Sequence, residues 1–272
     1  MKKLLSVLLI LTLIVTGCTN NSSNSNNDKQ KKQSEVLKVA SHTNPMTDIL
    51  ELIKDDLKEK GYNLEVVKVT DNVQANVALN NKEVDANFFQ HEPFMQQFNA
   101  GNNGKLVKIT PVYNAIVSFY SKNIKDIKDL KDNSIVSIPN DPTNLARALR
   151  LLQSSGLIKL DKDDYNVKVS NISSNPKNLQ FKEWGLLNLN EAYQESDLTF
   201  NYPTYIEALG LKPKENGLIF EPESDKTFAI SLVAREDNKD SEKIKTLKEL
   251  INSEKVKEFI NTKLKGHAVP AF

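Results

Sequence analysis

The sequence predicts an α/β protein of two lobes, each a mixed β-sheet flanked by helices, with two crossing strands between them as a hinge. Three observations predict it. Apolar strand-like runs alternate with helical patterns from Leu37 onward, the signature of β–α–β units and parallel pairing. The same alternation restarts at Ser134, as a second lobe requires. Residues 105–120 (KLVKITPVYNAIVSFY) run further than an ordinary edge strand, and residues 228–235 (FAISLVAR) form a strong apolar strand late in the chain. The first reads as the outward crossing and the second as the return. The predicted division is 36–118 with 229–272 for lobe 1, and 119–228 for lobe 2.

Ahead of the lobes lies a targeting segment. Lys2 and Lys3 give a short positive start, and residues 4–15 are an apolar run too short to span a bilayer comfortably. Val15-Thr16-Gly17-Cys18 resembles a bacterial lipobox, which implies a signal peptide over 1–17, cleavage before Cys18 and lipidation of that residue. Cys18 is the only cysteine, so no internal disulfide is available and a packed core must supply the stability. Residues 19–35 (TNNSSNSNNDKQKKQSE) hold no apolar side chain and cannot offset their ordering entropy by burial, so 18–35 reads as a lipidated, solvated tether. The body contains no second membrane span. With 36 Lys and Arg against 35 Asp and Glu, the net charge of +1 gives no electrostatic case for nucleic acid.

In lobe 1, residues 37–40 read as a buried strand and 45–60 as one helix that Gly61 stops. Residues 64–69 make a second strand, and 73–81 a short helix. Residues 85–89 form a strand with apolar and polar residues on alternate sides, running into DANFFQHEPF. Such a cluster of Phe88, Phe89 and His91 lies at the C-terminal end of a strand, where open α/β sheets hold their ligands. The alternative is plain core with a satisfied histidine.

Lobe 2 opens with a charged helix or turn over 122–132 and a strand over 134–138. Asp141 is a preferred N-cap and Pro142 suits the first helical position, so a helix starts there and closes at Gly156. Leu145, Leu149 and Leu152 face a core, which leaves Asn144 and Arg147 on another side of the first turns. A guanidinium fork beside unpaired helix N–H groups suits a carboxylate ligand. Pairing with a surface acid is the other reading of Arg147, and both stand. Residues 159–173 are polar and strand-poor, and 176–181 lead to a short strand. A helix is predicted over 187–193, strands over 198–202 and 218–221, and a helical turn over 205–210. Residues 241–264 give one or two amphipathic helices that return to lobe 1.

Enzymatic chemistry leaves no trace. His42, His91 and His267 are far apart without metal-ligand spacing, and there is no phosphate-binding glycine loop or nucleophile elbow. The acidic pairs Asp55-Asp56 and Asp163-Asp164 sit among lysines and read as solvated faces. The sequence therefore predicts no enzyme, no metal and no cofactor. Two lobes, a lipid anchor and an aromatic-plus-arginine constellation fit capture of a small ligand.

DANFFQHEPF, SIPNDPTNLARALRLLQSSGLIKL, NPKNLQF, VAREDNKDSEKIK and the final AVPAF together resemble the NlpA family of methionine-binding lipoproteins, the MetQ-type substrate-binding subunits of methionine ABC importers. The resemblance implies a type II periplasmic-binding-protein fold, anchoring in the bilayer through Cys18 on the outer face of the cell membrane, and delivery of methionine or a similar amino acid to a permease driven by an ATPase. It implies that Phe88, Phe89 and His91 hold the ligand's side chain and that Asn144 and Arg147 hold its carboxylate. Tyr113, Asn201 and Tyr202 complete the candidate site. The family's ligand asparagine in the strand before Gly210 falls on Tyr202, and the amide expected before Arg235 is Ile230, so the ammonium half of the site departs from the pattern. A paralogue for another small carboxylate or a short peptide, and a surface lipoprotein for adhesion, are the alternatives.

Overall fold

A computed structural model describes residues 34–162, 164–222 and 224–272. The predicted signal peptide, Cys18 and most of the tether lie outside the described residues, as does Asp163. In chain order the first part comprises β1 (Glu35–Ser41), α1 (Met46–Leu52), α2 (Lys54–Glu59), β2 (Tyr62–Lys68), α3 (Asn72–Asn80), β3 (Ala86–Gln90), α4 (Glu92–Asn102) and β4 (Leu106–Ala115). The middle comprises β5 (Ser118–Tyr120), β6 (Ile135–Pro139), α5 (Pro142–Ser154), β7 (Lys159–Leu160), β8 (Ile172–Ser174), β9 (Gln180–Trp184), α6 (Leu189–Glu195), β10 (Leu198–Asn201), α7 (Pro203–Ile206), α8 (Pro213–Asn216) and β11 (Ile219–Phe220). The chain ends with β12 (Ile230–Arg235), α9 (Glu242–Ile251), α10 (Glu254–Lys263) and β13 (Ala268–Pro270).

Two sheets repeat one plan. The six-stranded sheet has the order β13-β4-β12-β3-β1-β2, and the five-stranded sheet β11-β5-β10-β6-β9. In each, three consecutive units pair in parallel, β2-β1-β3 and β9-β6-β10. Beside them runs one antiparallel strand, β12 or β5, the first that the chain lays down after changing sheets. The passage out lies between Ala115 and Ser118 and the passage back between Phe220 and Ile230. β7 and β8 form a separate two-stranded ribbon.

Each sheet has its own core. Leu37, Ile49, Leu232, Leu247 and Ile260 belong to the first, and Phe119, Val136, Leu149, Leu152 and Phe200 to the second. Tyr202 packs against both.

Several local expectations are corrected. The helix predicted over 45–60 breaks at Ile53, whose ψ of 2° leaves the helical region while its side chain stays fully buried. The long strand over 105–120 is interrupted at Ile116 and Val117: the ladder with β13 ends as the Ile116 N–H donates to the His267 carbonyl at 2.9 Å, and the Val117 N–H turns back on the Ala115 carbonyl at 3.0 Å. β3 does not alternate: all five residues are buried, since strands flank it and helices cover it. α4 was not anticipated, and neither was β13, which covers the edge of β4. α5 buries Asn144 and Arg147 along with its leucines rather than leaving them on an open face.

The entry into β11 is set by a close approach. A Cβ on Gly217 would lie 2.4 Å from Ser118 Oγ and 2.7 Å from the Pro213 carbonyl oxygen. Only a hydrogen fits there while β11 pairs with β5. Gly217→Ala is expected to lower stability by about 1–3 kcal/mol, the usual cost of overpacking, measured by denaturant unfolding.

Candidate functional site

The site is built from the C-terminal ends of strands in both sheets. β3 delivers Phe89, Gln90 and His91, and its position against α3 is fixed by three buried amides. Asn76 Nδ2 donates to Gln90 Oε1 at 2.9 Å, Asn87 Nδ2 to Asn76 Oδ1 at 2.8 Å, and Gln90 Nε2 to Asn87 Oδ1 at 2.9 Å. Each amide finds partners inside, so the cluster carries little desolvation penalty and holds one geometry. α3 itself starts on Asp71, whose carboxylate accepts from the N–H groups of Val73 and Gln74.

His91 has two tasks. Its Nδ1 accepts the Phe94 N–H at 3.2 Å and so caps α4. That bond leaves the ring proton on Nε2, which lies 3.2 Å from Asn144 Oδ1. Burial, with the nearby Arg147 charge second, lowers the His91 pKa to about 3, so the ring is neutral at physiological pH.

Across the cleft, the Asp141 carboxylate caps α5 through the Asn144 N–H at 3.0 Å and also accepts from the Asn144 side-chain amide. Asn144 Oδ1 therefore faces the cleft and accepts the Tyr202 hydroxyl at 2.5 Å. That hydroxyl accepts in turn from Arg147 Nη1 at 3.0 Å. The remainder of the Arg147 fork is bidentate on Glu221, Nε to Oε1 at 2.7 Å and Nη2 to Oε2 at 2.5 Å. Phe228 covers the guanidinium at 4.5 Å. Burial works against the cation, but the charge and hydrogen bonds of Glu221 together with those of Tyr202 hold the Arg147 pKa above its ordinary value. Burial pushes the Tyr202 phenol up to about 12, so it remains a donor.

A cavity of about 60 Å³ lies between these walls. Of the residues that the sequence singles out, Phe89, His91, Tyr113, Asn144 and Tyr202 line it, joined by Ile230. Phe88 sits one layer behind in the first core, edge-on to Tyr113 at 6.2 Å. Arg147 lies behind Tyr202, and Asn201 donates from below to Asn190 Oδ1 at 2.9 Å. Sequence reading missed His42, Met46, Phe94 and Tyr205, which also line the cavity. It also missed Glu221, which answers the acid-pairing reading of Arg147. Tyr205 stands three residues past Tyr202 in the same turn, a spacing that carried the signal. His42 and Met46 enter from a loop and helix with no such mark.

Among the described residues there is no group of histidine, cysteine and carboxylate side chains able to hold a metal ion, and no helix long and apolar enough to cross a membrane. Asp56 pairs with Lys255 and Asp164 with Lys162 on the surface.

The chain matches the NlpA lipoprotein family over residues 37–272. It belongs to that family. Among its relatives, the methionine-binding lipoprotein MetQ of Bacillus subtilis is 35% identical over 237 residues, 85% of this chain and 86% of that one. A solved YaeC-family lipoprotein of Enterococcus faecalis is 42% identical, with a TM-score of 0.80, and covers 88% of this chain and all of its own. A nutrient binding protein of Burkholderia cenocepacia, solved bound to methionine, is 32% identical with a TM-score of 0.82 over 87% of this chain and all of its own. The NlpA protein described here thus has the two-lobed type II periplasmic-binding-protein fold, with the cavity at the junction of its two sheets.

The neutral His91 gives this site a pH dependence. Its folded pKa lies below the ordinary value of 6.5, so the unfolded chain takes up the proton first as pH falls. Stability is unaffected above pH 6.5 and drops below it by up to about 1.4 kcal/mol per pH unit until pH 3. His91→Asn, which keeps a capping acceptor, is expected to flatten that slope in thermal melts between pH 6 and 4.

Proposed function

We propose that the protein is the substrate-binding component of an ABC importer, held by a lipid on Cys18 at the extracytoplasmic face of the cell membrane. It captures methionine or a related amino-acid derivative in the cleft and hands it to a permease powered by an ATPase. The observation that carries this reading is the cavity itself, an aromatic chamber enclosed jointly by Phe89, His91 and Tyr113 from one sheet's elements and Asn144 and Tyr202 from the other's. Rings with a few fixed polar groups suit a thioether or another apolar side chain. The relatives named for methionine binding support the ligand class.

Residues 36–118 with 229–272 and residues 119–228 act as the two lobes. The ligand favours closure because it touches both, and so binds the closed arrangement better than the open one. Phe89 and Tyr113 hold its side chain, while His91, Asn144 and Tyr202 orient it. Phe88 and Asn201 support those walls, and Arg147 fixes the Tyr202 hydroxyl. The role is capture and release, with no bond made or broken.

Ile230 favours a variation on the ligand. An apolar wall there offers nothing to a charged ammonium, whose unpaired burial costs a few kcal/mol. Methionine derivatives without an exposed ammonium in the inner cavity therefore belong in the test.

Full-length protein in detergent is expected to gain melting temperature with one member of a panel of amino acids and methionyl peptides. Saturation at a hundred times Kd corresponds to about 2.7 kcal/mol. Phe89→Ala should weaken that ligand by about tenfold or more, and Arg147→Ala should abolish the shift. A panel without any shift would sink the importer reading. For the anchor, Cys18→Ala is expected to move the protein from the membrane to the soluble fraction; retention in the membrane would contradict it.

A further inference from the structure

Three stretches meet where the chain passes between its sheets: residues 115–117 on the way out, Glu221 and Pro222 on the way back, and Val269 of β13. With Asn114 near the end of β4 they enclose a small cavity of about 20 Å³. That clears the room a buried water needs, about 10–15 Å³; the water also needs about two to four polar partners.

Asn114 offers the first partner. It is 5% exposed, and its Nδ2 donates to the Asp225 carbonyl at 2.7 Å, which fixes the orientation of the amide. Its Oδ1 is buried with no hydrogen-bond partner among the described residues. Native proteins rarely leave such an acceptor unmet. Glu221 offers the second. Its carboxylate accepts from Nε and Nη2 of Arg147, one bond on each oxygen. An ionised carboxylate has about four lone-pair sites, so each oxygen can take a further donor.

The protons must come from the occupant. The Ile116 N–H is spent on the His267 carbonyl and the Val117 N–H on the Ala115 carbonyl, and Pro222 has none. No Lys, Arg or His lines the cavity. A metal cation or an ammonium would also answer the acceptors. Arg147 already balances Glu221, however, so a second buried positive charge beside it would go uncompensated. A neutral donor fits.

We propose that this cavity is the binding site of an ordered water that donates one proton to Asn114 Oδ1 and the other to the Glu221 carboxylate. The compensation of Arg147 then reaches past Glu221 to the crossing strand itself. Asn114 is a positioning residue: through the water it steadies Glu221 in the fork of Arg147.

Crystals of the full-length protein purified in detergent test the site, one of them soaked in thallium(I) acetate. The expected result is a peak within about 3.2 Å of both Asn114 Oδ1 and a Glu221 carboxylate oxygen, with no anomalous signal after the soak. An anomalous peak there, or no peak at all, overturns the proposal. Exchange of the Arg147 Nε–H proton with solvent, followed by NMR, tests the positioning role. In Asn114→Leu it is expected to quicken about fivefold. The Arg235 Nε–H, paired with Asp237 beside the other end of β4, should keep its rate. If Asn114→Leu does not fold, Val269→Ile gives the same readout, because it adds a methylene to the cavity wall and leaves Asn114 in place. Equal quickening of both protons, or of neither, overturns the positioning role.

Discussion

One buried cation organises the cleft. Arg147 is 1% exposed, and a guanidinium removed from water must have its donors met or it unfolds its surroundings. The compensation runs as a chain: Glu221 to Arg147, Arg147 to Tyr202, Tyr202 to Asn144, and on to the neutral His91 at the head of α4. Its links come from the β11 exit, α5, the end of β10 and the end of β3. Breaking a pair of this kind by removing one partner costs about 3–5 kcal/mol, more than most single contacts contribute. The same chain that neutralises the arginine therefore ties the elements of one sheet to those of the other.

That compensation decides what the cleft offers a ligand. The positive charge is spent on Glu221, Tyr202 presents only a ring and an engaged hydroxyl, and His91 is held neutral by burial. What remains toward the cavity is aromatic surface with few open hydrogen-bonding groups. Toward the cavity these walls offer shape and dispersion rather than charge.

Much of this was legible in the residues. The Asp141-Pro142 start of α5 and the restart of β–α alternation at Ser134 follow from local preferences, which the structure keeps. The aromatic cluster at the end of β3 followed from where strands deliver side chains. Other features depend on partners distant in sequence. α4 escaped notice because its N-cap is a histidine, a residue without a strong capping preference, even though Pro93 in its first turn marks a helix start. Nothing local to Arg147 could select Glu221, 74 residues on, from the chain's many acids. The pairing that covers the edge of β4 likewise needs β13, which only the final residues bring.

The amide cluster of Asn76, Asn87 and Gln90 sets the two sides of the cleft apart. It contains no titratable group and no net charge, and its donors and acceptors are engaged inside the protein. Acid cannot protonate it, and salt has no field to screen. The part of the β3 wall that the cluster holds therefore keeps its shape in brine or in mild acid. Sensitivity of the binding geometry to the surrounding medium enters instead at His91, just past the cluster, and from the opposite wall, where carboxylates hold both the start of α5 and the fork of its arginine.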